Sequence, residues 1–265
     1  YVAFGEYPCE AKNLDYLSAE EVRAFLIAAE EAGTRNELVC RLLVNTGMRR
    51  EELVALTVGD IDMNRGAITL NKVVFSATML GLLETHGSKK RPNFNKKRPI
   101  GIWLQDDKRK SLTGEKFVGT PAECLKRFPG GELVREGLKA KHPVRVVPLA
   151  DRGAIDMFRD WTKGRPKNEF VFLSQKGGRM NLSAINRAVT EIMLKAGIER
   201  SKAHPHNLRH TFAIYFLKRT RDIAKLQRIL GHTDIKTTTI YLRFAFEDLR
   251  EALDQAGDLY RDDNL

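Results

Sequence analysis

Apolar residues along this chain recur mostly at helical spacing. In "LSAEEVRAFLIAAEEAG", Val22, Phe25, Leu26 and Ala29 fall on one face. Ser18 stands as N-cap with Glu21 three positions on, a capping box, and Gly33 ends the run. "ELVCRLLVNTG" predicts a second, more fully buried helix ending at Gly47, and "RREELVALTVGDID" a short third one with Leu53 and Leu56 inward. The period then changes. "GAITLNKVVF" is β-branched and predicts one strand, and "VRVVPL" (144–149) predicts a second. Between them, from about Ser76 to Gly137, the pattern is less regular. "TPAECLKRF" within that stretch predicts a short helix, with Thr120 as N-cap, Pro121 at the first helical position and Glu123 completing a capping box. Further on, "GAIDMFRDW" is helical, and "FVFLS" is a short buried strand or extended segment. "LSAINRAVTEIMLKAGI" is an amphipathic helix with Ser183 near its start and Gly197 at its end. "NLRHTFAIYFLKRT", "DIAKLQRILG" and a C-terminal "EDLREALDQAG" add three more. The fold class expected is mainly α with a small antiparallel β-sheet, and there is no internal repeat.

Composition narrows the partners. The chain has 265 residues, 42% of them hydrophobic, so a substantial core is available. A net charge of +11 and a pI of about 9.6 put a polyanion first, with nucleic acid ahead of a membrane surface. No apolar run is long enough to cross a bilayer. Cys9, Cys40 and Cys124 are odd in number and widely spaced, which fits a reducing compartment rather than a disulfide or zinc framework. The opening "YVAFGEYPCEAKN" has no signal-peptide pattern and reads as a linker.

"AHPHNLRHTF" holds His204, His206, Arg209 and His210. Metal binding is one reading, since His206 and His210 are four apart, but no third ligand is nearby and Arg209 would oppose a dication. A hydrogen-bonded structural role suits His210, and a solvated one His204. Phosphoryl transfer without metal is the third. It needs arginines for the non-bridging oxygens, a nucleophile with a base, and an acid for the leaving oxygen. A tyrosine is about one part in a thousand phenolate at pH 7, so a histidine within reach matters. A sugar alkoxide leaving group must be protonated as it departs, which a lysine can do.

His206, Arg209 and His210 are followed by "LGHTDIKTTTIY", with His232 just past Gly231 and Tyr241 nine residues later. In these motifs the chain resembles the tyrosine recombinase (phage integrase) family. That family's boxes are His-x-x-Arg-His and Leu-Gly-His followed by the nucleophilic Tyr. Its first box, Thr-Gly-Leu-Arg-x-x-Glu-Leu, is matched by "TGMRREEL" (46–53) with Met48 for Leu. A lysine on a β-hairpin precedes a strand ending Val-Pro-Leu, and "GLKAKHPVRVVPL" is similar. The resemblance spans about residues 15–250. The hairpin departs from the family by one residue, so its lysine is Lys139 or Lys141, and Lys139 is preferred because the turn can absorb an extra residue. The strands are joined through about sixty residues instead of tightly, and Arg243 stands where many relatives have histidine.

The resemblance implies the tyrosine recombinase catalytic-domain fold and a site-specific recombinase of integrase or transposase type. Arg49, Arg209 and His232 hold the scissile phosphate, Tyr241 attacks it to give a 3′-phosphotyrosyl link, His206 is the base, and Lys139 protonates the leaving 5′-oxygen. Glu52 and His210 support the site. No metal and no cofactor is implied. The basic triplets Lys89, Lys90, Arg91 and Lys96, Lys97, Arg98, together with Lys141 and Arg145, are expected on DNA. Expected partners are double-stranded DNA and three further copies in a homo-tetramer on two DNA sites, with the C-terminal tail packing on a neighbour and no membrane. Residues 1–15 are expected to be the linker stub of a missing N-terminal DNA-binding domain. Residues 16–250 are then the catalytic domain, with an insertion at about 76–137, and 251–265 the tail. The setting expected is cytoplasmic and nucleoid-associated, in a prokaryote or phage. A type IB topoisomerase and an inactive DNA-binding module are the alternatives.

Overall fold

A computed structural model describes residues 14–76, 99–136, 144–242 and 244. Helix α1 (Ala19–Glu31) begins with the Ser18–Glu21 capping box and buries Phe25, Ala28 and Ala29. Helix α2 (Thr34–Thr46) is buried over most of its length, as its apolar content predicts. Gly47 ends it in the left-handed region (φ 60°), and a Cβ there would run into the Phe212 ring. A short α3 (Arg50–Leu53) and a 3₁₀ turn (Val58–Asp60) lead into β1 (Ile61–Asp62) and β2 (Ala67–Leu70).

The single strand expected over "GAITLNKVVF" is two strands. β2 ends at Leu70 and β3 (Lys72–Ser76) belongs to a different sheet. The break at Asn71 is fixed by Lys72, whose buried Nζ lies 2.6 Å from Asp60 Oδ1 and 3.0 Å from Asn71 Oδ1. Period-two alternation could not reveal this, because Lys72, Val73 and Val74 are buried in succession where β3 lies against α3.

The first sheet has the order β1-β2-β7, all antiparallel, with Ile68 opposite Val147. β7 is Arg145–Pro148, and alternation along it buries Arg145 and Val147 while exposing Val146. The second sheet has the order β3-β6-β4-β5, formed with β4 (Ile100–Gln105), β5 (Leu112–Gly119) and β6 (Glu132–Glu136). Two sheets therefore replace the one expected. Helix α4 (Pro121–Arg127), with its Thr120–Glu123 capping box, closes a small core of Ile100, Ile102, Cys124 and Leu133. On the other face of this sheet Val74, Leu112 and Val134 join the main core.

The remaining helices are α5 (Arg152–Thr162), α6 (Leu182–Lys195), α7 (Pro205–Thr220), α8 (Ile223–Leu230) and α9 (Lys236–Thr239). Asp151 caps α5 and Asn181 caps α6, each accepting from a backbone N–H of the first turn. "FVFLS" is an extended segment whose Phe170, Val171 and Phe172 are buried, with Phe170 bridged to Thr57. The C-terminal helix expected over "EDLREALDQAG" lies outside the described residues. Among the described residues no helix is long and apolar enough to cross a membrane.

Candidate active site

The site forms where α3, α7, α8 and β7 meet. Its foundation is Glu52, 1% exposed. Arg145 meets this carboxylate with a two-pronged contact, Nη1 to Oε1 and Nη2 to Oε2, both at 2.7 Å. Arg49 closes the other side, its backbone N–H donating to Oε2 at 2.8 Å and its Nη1 to Oε1 at 3.4 Å. Burial alone would raise the Glu52 pKa, but the hydrogen bonds and charges of Arg145 and Arg49 outweigh it and hold the group down to about 2. Glu52, expected to support the site, is thus buried between Arg49 and Arg145. Arg145 does not occupy the DNA-facing position expected. Its inward place on β7 and its contacts to Glu52 and to the Ile229 carbonyl (2.7 Å) bury it. Gly231, at φ 64°, lies against this guanidinium, and a Cβ there would sit 2.8 Å from Arg145 Nη1.

Arg209, on α7, is 3% exposed and donates to the carbonyls of Gly47 and Leu230, the latter at 2.8 Å. Arg49 Nη1 reaches the same Leu230 carbonyl at 3.4 Å. The two guanidiniums are thus gathered on one backbone oxygen at the end of α8. Burial, and then the like charge of Arg49, lower the Arg209 pKa to about 9, and the group stays charged at neutral pH.

His232 follows Gly231, the left-handed C-cap of α8. Its Nε2 lies 3.0 Å from Arg209 Nη2, and its Nδ1 lies 2.9 Å from Thr238 Oγ1. A guanidinium only donates, so Nε2 accepts and Nδ1 carries the proton, which it gives to Thr238. Burial first, then Arg209 and Arg49, push the His232 pKa down to about 3. Thr238, fully buried, is a site residue not among those expected from the sequence. Its only signal was its place six residues after the Leu-Gly-His histidine.

Tyr241 is 2% exposed, within a cluster that includes Leu226, Leu230 and Phe244. Its hydroxyl lies 2.9 Å from His210 Nδ1. Burial raises its pKa, and Arg209 and Arg49 oppose that rise. His210 is pushed down to about 4 by burial, then by His206 and Arg209, so it is neutral at pH 7. His206, the expected base, sits with its ring centroid 4.6 Å from that of His210, edge to face, and is exposed. Its pKa is also lowered, by partial desolvation and then by Arg209. The structure thus brings the Tyr241 hydroxyl to His210 and sets His206 behind it. His204 is exposed at the N-cap of α7.

A cleft of about 440 Å³ opens beside Arg49, His206 and Arg209, and among the described residues its lining also includes Arg50, Arg135 and Glu51. Among the described residues four arginines and one carboxylate line it, a balance that suits an anion. Among the described residues no group of three His, Cys, Asp or Glu could hold a metal ion. Lys139, Lys141 and the triplets at 89–91 and 96–98 lie outside the described residues.

The folds this arrangement resembles are those of tyrosine recombinase catalytic domains. The crystal structure of XerA recombinase superposes with a TM-score of 0.57 at 23% identity, over 94% of this chain and 66% of that one. A Tn1549 transposon integrase in complex with circular intermediate DNA gives 0.57 at 18%, over 88% and 63%. XerH site-specific recombinase bound to a palindromic difH substrate gives 0.55 at 21%, over 91% and 52%. The phage integrase family model matches residues 15–96 and 132–248, and the chain belongs to that family. The match omits 97–131, which contains all of β4, β5 and α4. Tyrosine recombinase XerC of Haemophilus influenzae is 38% identical over 116 residues, 42% of this chain and 39% of the relative. XerC of Pseudomonas syringae pv. syringae is 27% identical over 225 residues, 84% of this chain and 52% of the relative. The chain thus spans about half or less of the length of these relatives.

Proposed function

We propose that this chain is the catalytic part of a site-specific DNA recombinase that cuts and rejoins strands through a tyrosine. The observation that carries the reading is the convergence of Arg49, Arg209 and His232 at the end of α8, beside a tyrosine whose hydroxyl is held by a neutral histidine. A phosphodiester entering the cleft replaces the Leu230 carbonyl as the partner of the two guanidiniums, which then neutralise its non-bridging oxygens as charge builds there. The same anion favours the protonated forms of the nearby histidines, reversing the depression that burial and arginines impose.

The tyrosine oxygen forms a bond to phosphorus as the bond to the 5′-oxygen breaks, leaving a 3′-phosphotyrosyl link. The phenolic proton passes to the His210–His206 pair, with His210 already on the hydroxyl and His206 between it and the cleft. The leaving 5′-oxygen takes a proton from Lys139, or from Lys141 if the turn is one residue shorter. A 5′-hydroxyl from a second duplex reverses the step and joins new strands. The phosphotyrosyl bond conserves the phosphodiester energy, so this scheme has no step for a metal or a cofactor. Double-stranded DNA is the substrate, and a homo-tetramer on two sites, with the C-terminal tail packed on a neighbour, is the working unit. Residues 76–137 form the insertion in the catalytic domain.

The test is a nicked duplex carrying the element's own junction, from which the cleaved strand escapes and traps the adduct. The wild-type chain is expected to become covalently attached, and Tyr241→Phe is not. Relaxation of supercoiled plasmids lacking any such site, with no adduct on the junction, would overturn the recombinase reading.

A further inference from the structure

The cleft has two walls, and every lining residue among the described ones lies within the segments that the family model matches. One is the Arg49–His206–Arg209 wall already described. The other is the second sheet, which contributes Val73, Val74 and Phe75 from its edge strand β3 and Arg135 from β6. Part of that sheet comes from the segment that the family model leaves unmatched.

The second wall is fixed rigidly to the first. β3 packs against α3, the turn that follows Arg49 directly. On β6, three residues before Arg135, Glu132 accepts from Arg179 Nη2 at 3.2 Å and from the Leu182 backbone N–H at the start of α6 at 3.1 Å. Ser111 of this lobe bridges to Glu169, and the Leu112 N–H donates to the Asn168 carbonyl at 3.0 Å. Arg135 itself lies over the Phe75 ring, 5.3 Å from its centroid, so its guanidinium is held at the cleft. A volume of about 440 Å³ is worth roughly fifteen water molecules, more than one phosphodiester group fills.

We propose that Arg135 is a DNA-backbone contact, which binds a phosphate next to the one that Arg49 and Arg209 hold. The second sheet thereby becomes part of the substrate cleft. This rests on the recombinase reading in so far as DNA is the anion. Arg135 acts by position and charge and takes no part in bond making.

The experiment measures binding of the full chain to a fluorescent mixed-sequence duplex as salt is raised, for wild type, Arg135→Met and Arg135→Lys. Methionine keeps the aliphatic packing on Phe75 and removes the charge, and lysine keeps the charge. Loss of one phosphate contact lowers the slope of log K against log salt by about 0.9. A fourfold rise in salt should then weaken wild type about 3.5-fold more than Arg135→Met, while Arg135→Lys keeps the wild-type slope and both variants melt like wild type. A wild-type slope in Arg135→Met overturns the proposal. So does an equal loss in both variants, which would mark damage to the sheet. Failure of the wild-type chain to bind the duplex at all would instead overturn the recombinase reading.

Discussion

Replacing Glu52 with glutamine should destabilise the protein strongly. The carboxylate is buried and carries both Arg145 contacts at 2.7 Å and the Arg49 backbone contact at 2.8 Å. Glutamine keeps the shape but turns an amide N–H₂ toward a guanidinium and leaves Arg145 buried without its counter-charge. Removing one member of a buried pair costs about 3–5 kcal/mol. The pKa gives an independent figure. Glu52 is held at about 2 against an ordinary 4.5, a difference worth about 3 kcal/mol. Because the folded pKa is depressed, that stability is present in full above pH 4.5 and is lost as pH falls toward 2. Urea unfolding at pH 7 should therefore show Glu52→Gln about 3 kcal/mol less stable, or roughly 6–12 °C lower in melting temperature. The gap between the two proteins should narrow steadily below pH 4.5. His210 and His232, also depressed, make both proteins acid-sensitive below about pH 6.5, so the difference between them is the diagnostic quantity. A loss under 1 kcal/mol at pH 7, or a gap independent of pH from 5 to 2.5, would refute the account of Glu52 as the foundation of the site.

Thr238→Val removes the acceptor that fixes the His232 tautomer; cleavage should fall about 10-fold or more with DNA affinity unchanged, read by single-turnover adduct formation at saturating DNA. His210→Ala should slow the same step about 10²–10⁴-fold, and a rate within threefold of wild type would remove His210 from the proton path. Adduct formation should persist in EDTA, and strict dependence on a divalent cation would contradict the metal-free scheme.

The helices and their caps were legible because their causes are local: Ser18–Glu21 and Thr120–Glu123 each lie within four residues. Gly47 and Gly231 were legible as helix stops, but their second role, leaving room for Phe212 and Arg145, depends on elements distant in sequence. The two-sheet arrangement was not legible. Nothing in "GAITLNKVVF" marks Asn71 as a break until Lys72 meets Asp60. Arg145 is expected on DNA with Lys141, yet alternation with Val147 and Leu149 places it on the inward side of β7. The motif residues Arg49, His206, Arg209, His232 and Tyr241 were legible only through the resemblance to the tyrosine recombinase boxes. The pairing of Tyr241 with His210 instead of His206 was not, since both histidines lie on one helix turn and only packing chooses between them.

The central claim is that Tyr241 becomes the covalent attachment point for DNA. The measurement that tests it most directly is peptide mass spectrometry of the trapped protein–DNA adduct after nuclease trimming. The account predicts a 3′-phosphonucleotide on the peptide containing Tyr241, and none on Tyr215 or Tyr260. A nucleotide on another residue, or on a 5′-phosphate, would contradict it.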